Sequence, residues 1–546
     1  MREGLAREAP DWRHAVAAVL FALIAGASGL LVAPPLDRDE SRFVQATAQM
    51  LESGDYVVIR YQDLERNKKP VGIHWLQAGS VAALGGPEDR AVWKYRVPSL
   101  IGAGVTALGT YLLGCLLFGR RAAFCGTLVL AAAPVIVAEA SIAKTDSALL
   151  ACVVLAQLGL ARAWTGARGS GTWLPFWLAL AAGVLVKGPI APMISGLTAG
   201  ALCLATREVR WLGALRPLPG SLLLLALVLP WLVAIGVVTE GRFYTEAIGT
   251  DMLGKVGEAQ ESHSGPFGYH AMLLWALFWP ASLFLPAALR WAVPKWRDPG
   301  VLFCLAWFLP SFIIFEAAGT KLPHYPMVTY PALALLVGAL ATTVPPARFR
   351  AWRWAGAALF AGIGLAASAA AVWLLAEHQD GGPGPISYAL AAGVAILTVA
   401  TTLTALRGRV QRAALMAAGT SAALGWVLFQ HVLPRLGELA VTPRLEAALS
   451  AAGAHPRLDQ APPVALVGYH EPSAVFRLGT PTLLTSAEGA ADWLRGGRGR
   501  IAVIEGRDRP AFLRAASGLA FKEVGVVEGL NYSNGDDVRL VLVRSK

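Results

Sequence analysis

Residues 173–205 read WLPFWLALAAGVLVKGPIAPMISGLTAGALCLA, thirty-three positions with a single charge, Lys187. A spanning helix needs about 20 mainly apolar residues, so the run is too long for one span. It breaks at Lys187-Gly188-Pro189, where proline removes a backbone donor. The stretch therefore reads as two membrane helices that meet at a lysine. The same ruler, moved outward, gives thirteen apolar segments: 14–34, 93–118, 122–141, 147–165, 172–187, 188–206, 219–238, 267–290, 299–318, 326–345, 352–376, 386–406 and 413–433. Alternate loops hold Arg2/Arg7/Arg13, Arg120/Arg121, Arg162/Arg168, Arg207/Arg210/Arg216, Arg290/Lys295/Arg297, Arg348/Arg350/Arg353 and Arg407/Arg409/Arg412. Cytoplasmic loops carry the excess of Lys and Arg, so the N-terminus is expected inside. An odd number of spans then puts the C-terminus outside.

Composition agrees. The 546 residues are 55% hydrophobic and 15% charged, with a mean hydropathy of +0.52; average proteins carry about 25% charged residues. An ordinary soluble chain, a disordered one, collagen and coiled coil are excluded. The net charge of +11 is no nucleic-acid footprint, because the basic residues cluster between apolar runs and not along one face. The five cysteines, Cys115, Cys125, Cys152, Cys203 and Cys304, lie in or beside apolar segments, so buried thiols without disulfides are expected. The run Val16–Pro35 follows arginines as a signal peptide does, yet many spans follow it and no small-residue cleavage site stands out; it reads as the first anchor.

Two outside segments are large. The first external loop, 35–92, contains Val71–Leu84, which is too short to span and reads as an interfacial or re-entrant helix. Beyond residue 433 the composition becomes that of a soluble chain. Strands are expected at Val464–Gly468, Ile501–Glu505 and Val538–Val543, and helices at Glu488–Leu494 and Arg509–Ala516. The fold class is thus an α-helical integral membrane protein of thirteen spans, residues 1–433, with an external α/β domain, 434–546.

The charges outside the cytoplasmic loops carry the chemistry. Asp37-Arg38-Asp39-Glu40-Ser41-Arg42-Phe43 packs three carboxylates and two guanidiniums beside a span. Taken alone it reads equally as the acidic first turn of a helix and as part of a site. Lys68-Lys69-Pro70 suits headgroup contact or a lipid phosphate. Asp146, Lys187, Lys255 and Lys321, the last followed by His324-Tyr325, lie at outside ends of spans. Singly each lysine could snorkel; together with an aspartate on one membrane face they describe a site for an anionic, lipid-linked substrate. Asp146 could pair with Lys144, Lys187 or Arg42. His263 and His324 could ligate a divalent metal, but no metal-binding spacing accompanies them. No Walker or dinucleotide loop follows a strand, so an energised substrate carried in the lipid is the expected donor.

With those residues the chain resembles the GT-C glycosyltransferases that use polyprenyl-phosphate sugars, most closely the lipid A aminoarabinose transferase family and more distantly the protein O-mannosyltransferases. The motifs that carry the resemblance are DRDESRF at 37–43, KKP at 68–70, Thr145-Asp146, VKGPIA at 186–191, PW at 230–231, SHSGPFGY at 262–269 and GTKLPHYPM at 319–327. It implies inverting transfer from an undecaprenyl-phosphate sugar to lipid A or another envelope acceptor, on the outer face of a bacterial inner membrane. It implies Asp39 as the catalytic acidic residue with Glu40 beside it, Asp146 as a second acidic position, and Lys69, Lys187, Lys255 and Arg42 as groups for the donor phosphate. Lys68, His263, Lys321, His324 and Tyr325 then fall in the substrate cavity. Lys68 stands where some relatives have an acidic residue able to hold a metal, so no metal is assigned. Phe43 replaces a family tyrosine, and Lys255 an arginine. The resemblance implies a lipid donor, a lipid or glycan acceptor, no nucleic acid and a monomer. The other readings are a protein O-mannosyltransferase-like enzyme, a sugar-lipid transporter, whose polar groups should lie near the midplane, and an envelope scaffold.

Overall fold

The structure is a computed structural model that describes residues 8–247, 249, 265–343 and 350–546. The chain begins with α1 (Trp12–Gly26), whose first turn is capped by the Asp11 carboxylate accepting from the N–H of Arg13 at 2.9 Å. Next come α2 (Asp39–Ser53) and α3 (Gly72–Ala83) of the first loop, joined by the short hairpin β1 (Arg60–Tyr61) and β2 (Leu64–Glu65). The bundle continues with α4 (Val92–Phe118), α5 (Arg120–Ala131), α6 (Pro134–Ala140), α7 (Asp146–Trp164), α8 (Ser170–Lys187), α9 (Ile190–Thr206) and α10 (Pro217–Val238). It closes with α11 (Tyr269–Leu277), α12 (Trp279–Ser282), α13 (Leu285–Ala292), α14 (Pro299–Ala317), α15 (Tyr330–Thr343), α16 (Arg350–His378), α17 (Pro385–Leu406) and α18 (Val410–Trp426).

Among the described residues ten helices are long and apolar enough to cross a membrane, which makes this a multi-pass membrane protein. Three of the thirteen expected segments take another form. The 122–141 segment is the pair α5–α6, bent by 65°; Ala133 is extended and Pro134 opens the second helix, because proline offers no N–H to continue the first. The 267–290 segment is the run α11, α12 and α13, with Pro280 and Pro286 in first turns. The 188–206 segment is α9, 17 residues long. It meets α8 at Gly188, whose φ of +69° takes the chain round between the two helices. With no hydrophobic gain between apolar helices in lipid, close backbone approach holds them. A Cβ at Gly338 of α15 would lie 2.1 Å from the Ala122 carbonyl oxygen of α5. The five cysteines are free thiols, buried or half-buried.

One buried ion pair ties the first loop to the bundle. Arg96 of α4 donates from Nε and Nη2 to the two Glu40 oxygens, 2.8 Å each. Its other hydrogens reach the carbonyls of Gly29, Leu30, Ala33 and Pro34 at 2.8–3.2 Å. Glu40 also accepts the N–H of Leu36 at 2.8 Å and of Ala143 at 2.7 Å. Glu40, expected as a catalytic acid, is therefore an anchor: it is 1% exposed, its oxygens are occupied, and it does not line the cavity described below.

The C-terminal part comprises α19 (Val441–Ala451), β3 (Val464–Val467), α20 (Pro472–Leu478), β4 (Leu483–Thr485), α21 (Ala487–Arg495), β5 (Ile501–Glu505), α22 (Arg509–Ala515), β6 (Phe521–Asn531) and β7 (Asp536–Ser545). Strand order is β4-β3-β5-β7-β6. β3 runs parallel to β4 and β5, with Val464 opposite Ile501, and β7 runs antiparallel to β5 and β6. β3 and β5 are buried at every position, as strands covered on both faces must be: α19 and α20 pack on one face, α21 and α22 on the other. The sheet domain docks on the first loop through Phe476 of α20, buried among Val44, Ala48, Val81 and Tyr95.

Breaking a buried pair by removing one partner costs about 3–5 kcal/mol, whereas replacing both with apolar groups can restore much of it. We expect Arg96→Leu to lower thermal stability in detergent by that order, and the double variant Arg96→Leu/Glu40→Leu to recover part of the loss, measured by thermal unfolding of the purified chain.

Candidate active site

Helix ends build the site. α7 begins with Asp146 and α8 ends with Lys187, an acid and a base each placed on the favourable end of a helix dipole. Because the two helices run in opposite directions, these ends meet: Lys187 Nζ donates to Asp146 Oδ1 at 2.6 Å. The same ammonium lies 5.3 Å from the ring centre of Tyr325, a cation–π distance. His324 Nε2 stands 3.4 Å from Asp146 Oδ1 and its Nδ1 3.7 Å from Glu139 Oε1. Lys144 Nζ reaches Glu139 Oε1 at 3.3 Å. Two carboxylates thus alternate with two ammoniums around one imidazole. Burial drives the His324 ring below the ordinary histidine value, to about 3, with Lys144 and Lys187 adding to it and Asp146 opposing; the ring is neutral at ordinary pH. Burial works against the Lys144 charge, but Glu139, Asp146 and Asp39 raise it above the usual lysine value.

Asp39 opens α2 beside this network. Burial pushes its carboxyl up, yet the charges of Lys144, Arg66 and Arg42 outweigh that and hold it below the usual carboxylate range. Arg66 lies over the Phe43 ring at 4.9 Å. Arg38, immediately before Asp39, has φ +65°, a conformation that costs a non-glycine residue of order 1–3 kcal/mol and is retained where the surroundings impose it.

A cavity of about 560 Å³ adjoins the Asp146–Lys187 pair. Its polar lining includes Lys68, Lys69, Asp146, Lys187 and Tyr325, with Tyr244 and Thr320. The remaining wall is apolar and comes from within the helices: Val184 of α8, Met193 of α9, Val228 and Trp231 of α10, and Ile314 and Phe315 of α14. An apolar pocket with a few convergent polar groups is the usual form of a ligand site. This one has lysines where its wall leaves the bundle.

Of the residues singled out from sequence, Lys68, Lys69, Asp146, Lys187 and Tyr325 line the cavity, and His324 touches Asp146. Arg42 and Asp39 stand together at the first turn of α2, outside that lining. Lys321, expected in the cavity, is instead a helix cap: it is buried, and its ammonium donates to the carbonyls of Glu316 at 2.7 Å and Ala318 at 3.2 Å at the end of α14, where unpaired carbonyls favour a cation. Lys255 and His263 lie outside the described residues. No group of three His, Cys, Asp or Glu among the described residues is arranged to hold a metal. Neither Glu139 nor Arg66 is among the site residues expected from sequence. Glu139 carried a usable signal as the one carboxylate in the apolar 122–141 segment; Arg66 carried none, since its place depends on the fold of the first loop.

Residues 68–233 match the family model described as dolichyl-phosphate-mannose-protein mannosyltransferase. The undecaprenyl phosphate-alpha-4-amino-4-deoxy-L-arabinose arabinosyl transferase of Serratia proteamaculans is 27% identical over 334 residues, 59% of this chain and 58% of that protein. Its counterpart from Pseudomonas aeruginosa is 29% identical over 331 residues, 58% and 59% of the two chains. The chain thus matches under three fifths of the length of these relatives. Crystal structures of ArnT from Cupriavidus metallidurans superpose with a TM-score of 0.75 in the apo state and 0.77 bound to undecaprenyl phosphate, at 21% and 20% identity, and each pairing covers 97% of both chains. The chain thus shares the fold of the ArnT structures along almost its whole length, and Lys69, Asp146 and Lys187 lie inside the matched residues 68–233.

Proposed function

We propose that this chain is an inverting glycosyltransferase that moves a sugar from an undecaprenyl-phosphate donor to an acceptor on the outer face of a bacterial inner membrane. Residues 1–433 form its membrane unit and 434–546 its external unit, and it acts as a monomer. The observation that carries this reading is the cavity whose apolar wall gives way to Lys68, Lys69 and Lys187. A polyprenyl phosphate has the same order of parts: a long hydrocarbon, then an anion. The site lies at the end of the bundle opposite Arg120, Arg121, Arg162 and Arg207, which supports an N-terminus in the cytoplasm and a site outside it. The relatives named for transfer of 4-amino-4-deoxy-L-arabinose make that sugar the first to test, with lipid A, the acceptor that the family resemblance implies.

The chemistry follows from charge. Breaking the anomeric C–O bond gives the sugar oxocarbenium character and leaves negative charge on the departing phosphate. Ammoniums fixed in a site of reduced dielectric stabilise that charge more than they would in water; Lys69 and Lys187 are placed to do so, with Asp146 holding Lys187 in position. Asp39, kept ionised by Lys144, Arg66 and Arg42, takes the proton when the acceptor is a hydroxyl. When the acceptor is an ionised phosphate, Asp39 orients it or faces the positive charge that develops on the sugar.

These outcomes are expected. Asp39→Asn abolishes transfer while the protein folds and inserts, read by incorporation of labelled sugar from the undecaprenyl-phosphate donor. Lys69→Ala and Lys187→Ala each lower turnover by about 10²–10³, the usual cost of removing one preorganised group that faces developing charge, and mass spectrometry of lipid A, glycans and exported proteins from a deletion strain shows one sugar missing; an unchanged profile would count against the enzyme. Because Asp39 is held low and His324 is neutral above about 3, neither changes charge between about pH 5 and 8. The kcat/KM profile should therefore show no acidic limb there from either group, and a limb that disappears in His324→Gln would contradict the neutral imidazole.

A further inference from the structure

Two residues before Asp39 the chain is held from outside the membrane bundle. The backbone N–H of Asp37 donates to the Tyr532 hydroxyl, and Asp37 Oδ1 accepts the N–H of Ser473 at 3.0 Å. Tyr532 lies between β6 and β7 and Ser473 in the first turn of α20, so both belong to the sheet domain, more than 430 residues along the chain. Between this contact and Asp39 stands the left-handed Arg38. The docking continues along α2: Gln45 Nε2 donates to Thr480 Oγ1 at 2.9 Å, and that hydroxyl donates to Glu52 Oε2 at 2.7 Å. Arg90, 2% exposed, donates to Gln45 Oε1 at 2.6 Å and to the Phe476 carbonyl at 3.2 Å. On the other side Glu40 is fixed to Arg96. Asp39 thus lies between a clamp from the sheet domain, two residues before it at Asp37, and a clamp from the bundle, one residue after it at Glu40.

We propose that the C-terminal sheet domain is a positioning element for the reaction: Tyr532 and the first turn of α20 hold Asp37, and through Arg38 they set the direction of the Asp39 carboxylate. The domain acts on turnover and not on donor affinity, since the donor cavity is lined entirely by residues of the membrane unit. This inference rests on the glycosyl-transfer reading above. The charged and titratable groups that face Asp37 are Arg38 on its own segment, Tyr61 of β1, Tyr469 and Glu471 ahead of α20, and Tyr532. Burial, aided by Glu471 and opposed by Ser473 and Arg38, pushes the Asp37 carboxyl from 3.8 up to about 7. The docked loop therefore binds this proton more tightly than a free loop would. Docking is strongest at low pH, weakens as pH rises towards about 7 and is constant above.

The test uses full-length protein in detergent, with undecaprenyl-phosphate 4-amino-4-deoxy-L-arabinose as donor and lipid A as acceptor, and follows amide exchange of residues 36–42 in the same samples. A displaced catalytic group costs up to about 100-fold, so Tyr532→Phe and Asp37→Ala should lower kcat by roughly 10- to 100-fold, leave the donor KM within about two-fold, and speed exchange at 36–42. Asp37→Asn keeps the acceptor for Ser473, so it should retain most of kcat while the protection at 36–42, taken relative to the intrinsic exchange rate at each pH, loses its change between pH 5 and 7. Unchanged kcat and unchanged exchange in both Tyr532→Phe and Asp37→Ala, with Asp39→Asn inactive, would overturn the positioning role and leave the enzyme reading standing. No turnover by the unaltered protein would overturn the enzyme reading itself, and full turnover in Asp39→Asn would overturn the catalytic role of Asp39 and with it the positioning role; exchange at 36–42, which needs no substrate, still reports on the clamp.

Discussion

The pair between Glu40 and Arg96 decides where the chemistry stands. Burying an arginine and a glutamate beneath the first loop carries a desolvation penalty of several kcal/mol per ion, which Coulomb attraction alone rarely repays. Here the cost is offset by completeness. The guanidinium reaches Glu40 and four carbonyls at the end of the first span, and the carboxylate also accepts two backbone N–H groups. One of those, Ala143, lies in the turn that carries Lys144 and leads into Asp146; the other, Leu36, leads into Asp37. One side-chain pair thereby fixes, relative to one another, the segment that presents Asp39 and the turn that presents Lys144.

Much of this was legible in the residues. Spans such as 219–238, 326–345 and 386–406 hold no charged residue along their whole length, and a long apolar run has one stable state in a bilayer. The break at Lys187-Gly188-Pro189 was legible because proline and glycine punctuate locally. What sequence did not disclose depended on contacts across the bundle. Pro280 and Pro286 break 267–290 into three helices because the neighbouring α15 and α16 support the interruptions, and hydropathy does not register neighbours. Lys321 looks like a site lysine from its motif, yet the carbonyls at the end of α14 are nearer. In the sheet domain the central strands β3 and β5 were visible as buried runs, whereas the edge strands were not: half-exposed β4 and β6, the latter with Glu523 and Glu528, lack the continuous apolar pattern that marks a covered strand.

Lys187 shows how the surroundings of a cation can serve the proposed reaction. In this structure its ammonium is committed to Asp146 at 2.6 Å and leans on the Tyr325 ring. A sugar-linked phosphodiester carries one negative charge, and the phosphate monoester it leaves behind gains a second. A lysine shared with a carboxylate therefore gains less from the donor than from the departing group, because the pull towards Asp146 is constant while the pull towards phosphate grows as the bond breaks. An interaction that strengthens between ground state and transition state raises turnover, whereas an equally strong grip on both would only tighten binding. On this argument Asp146 tempers Lys187 towards the substrate, and Lys69, which lines the same cavity, supplies in the proposed reaction the second cation that the developing dianion requires.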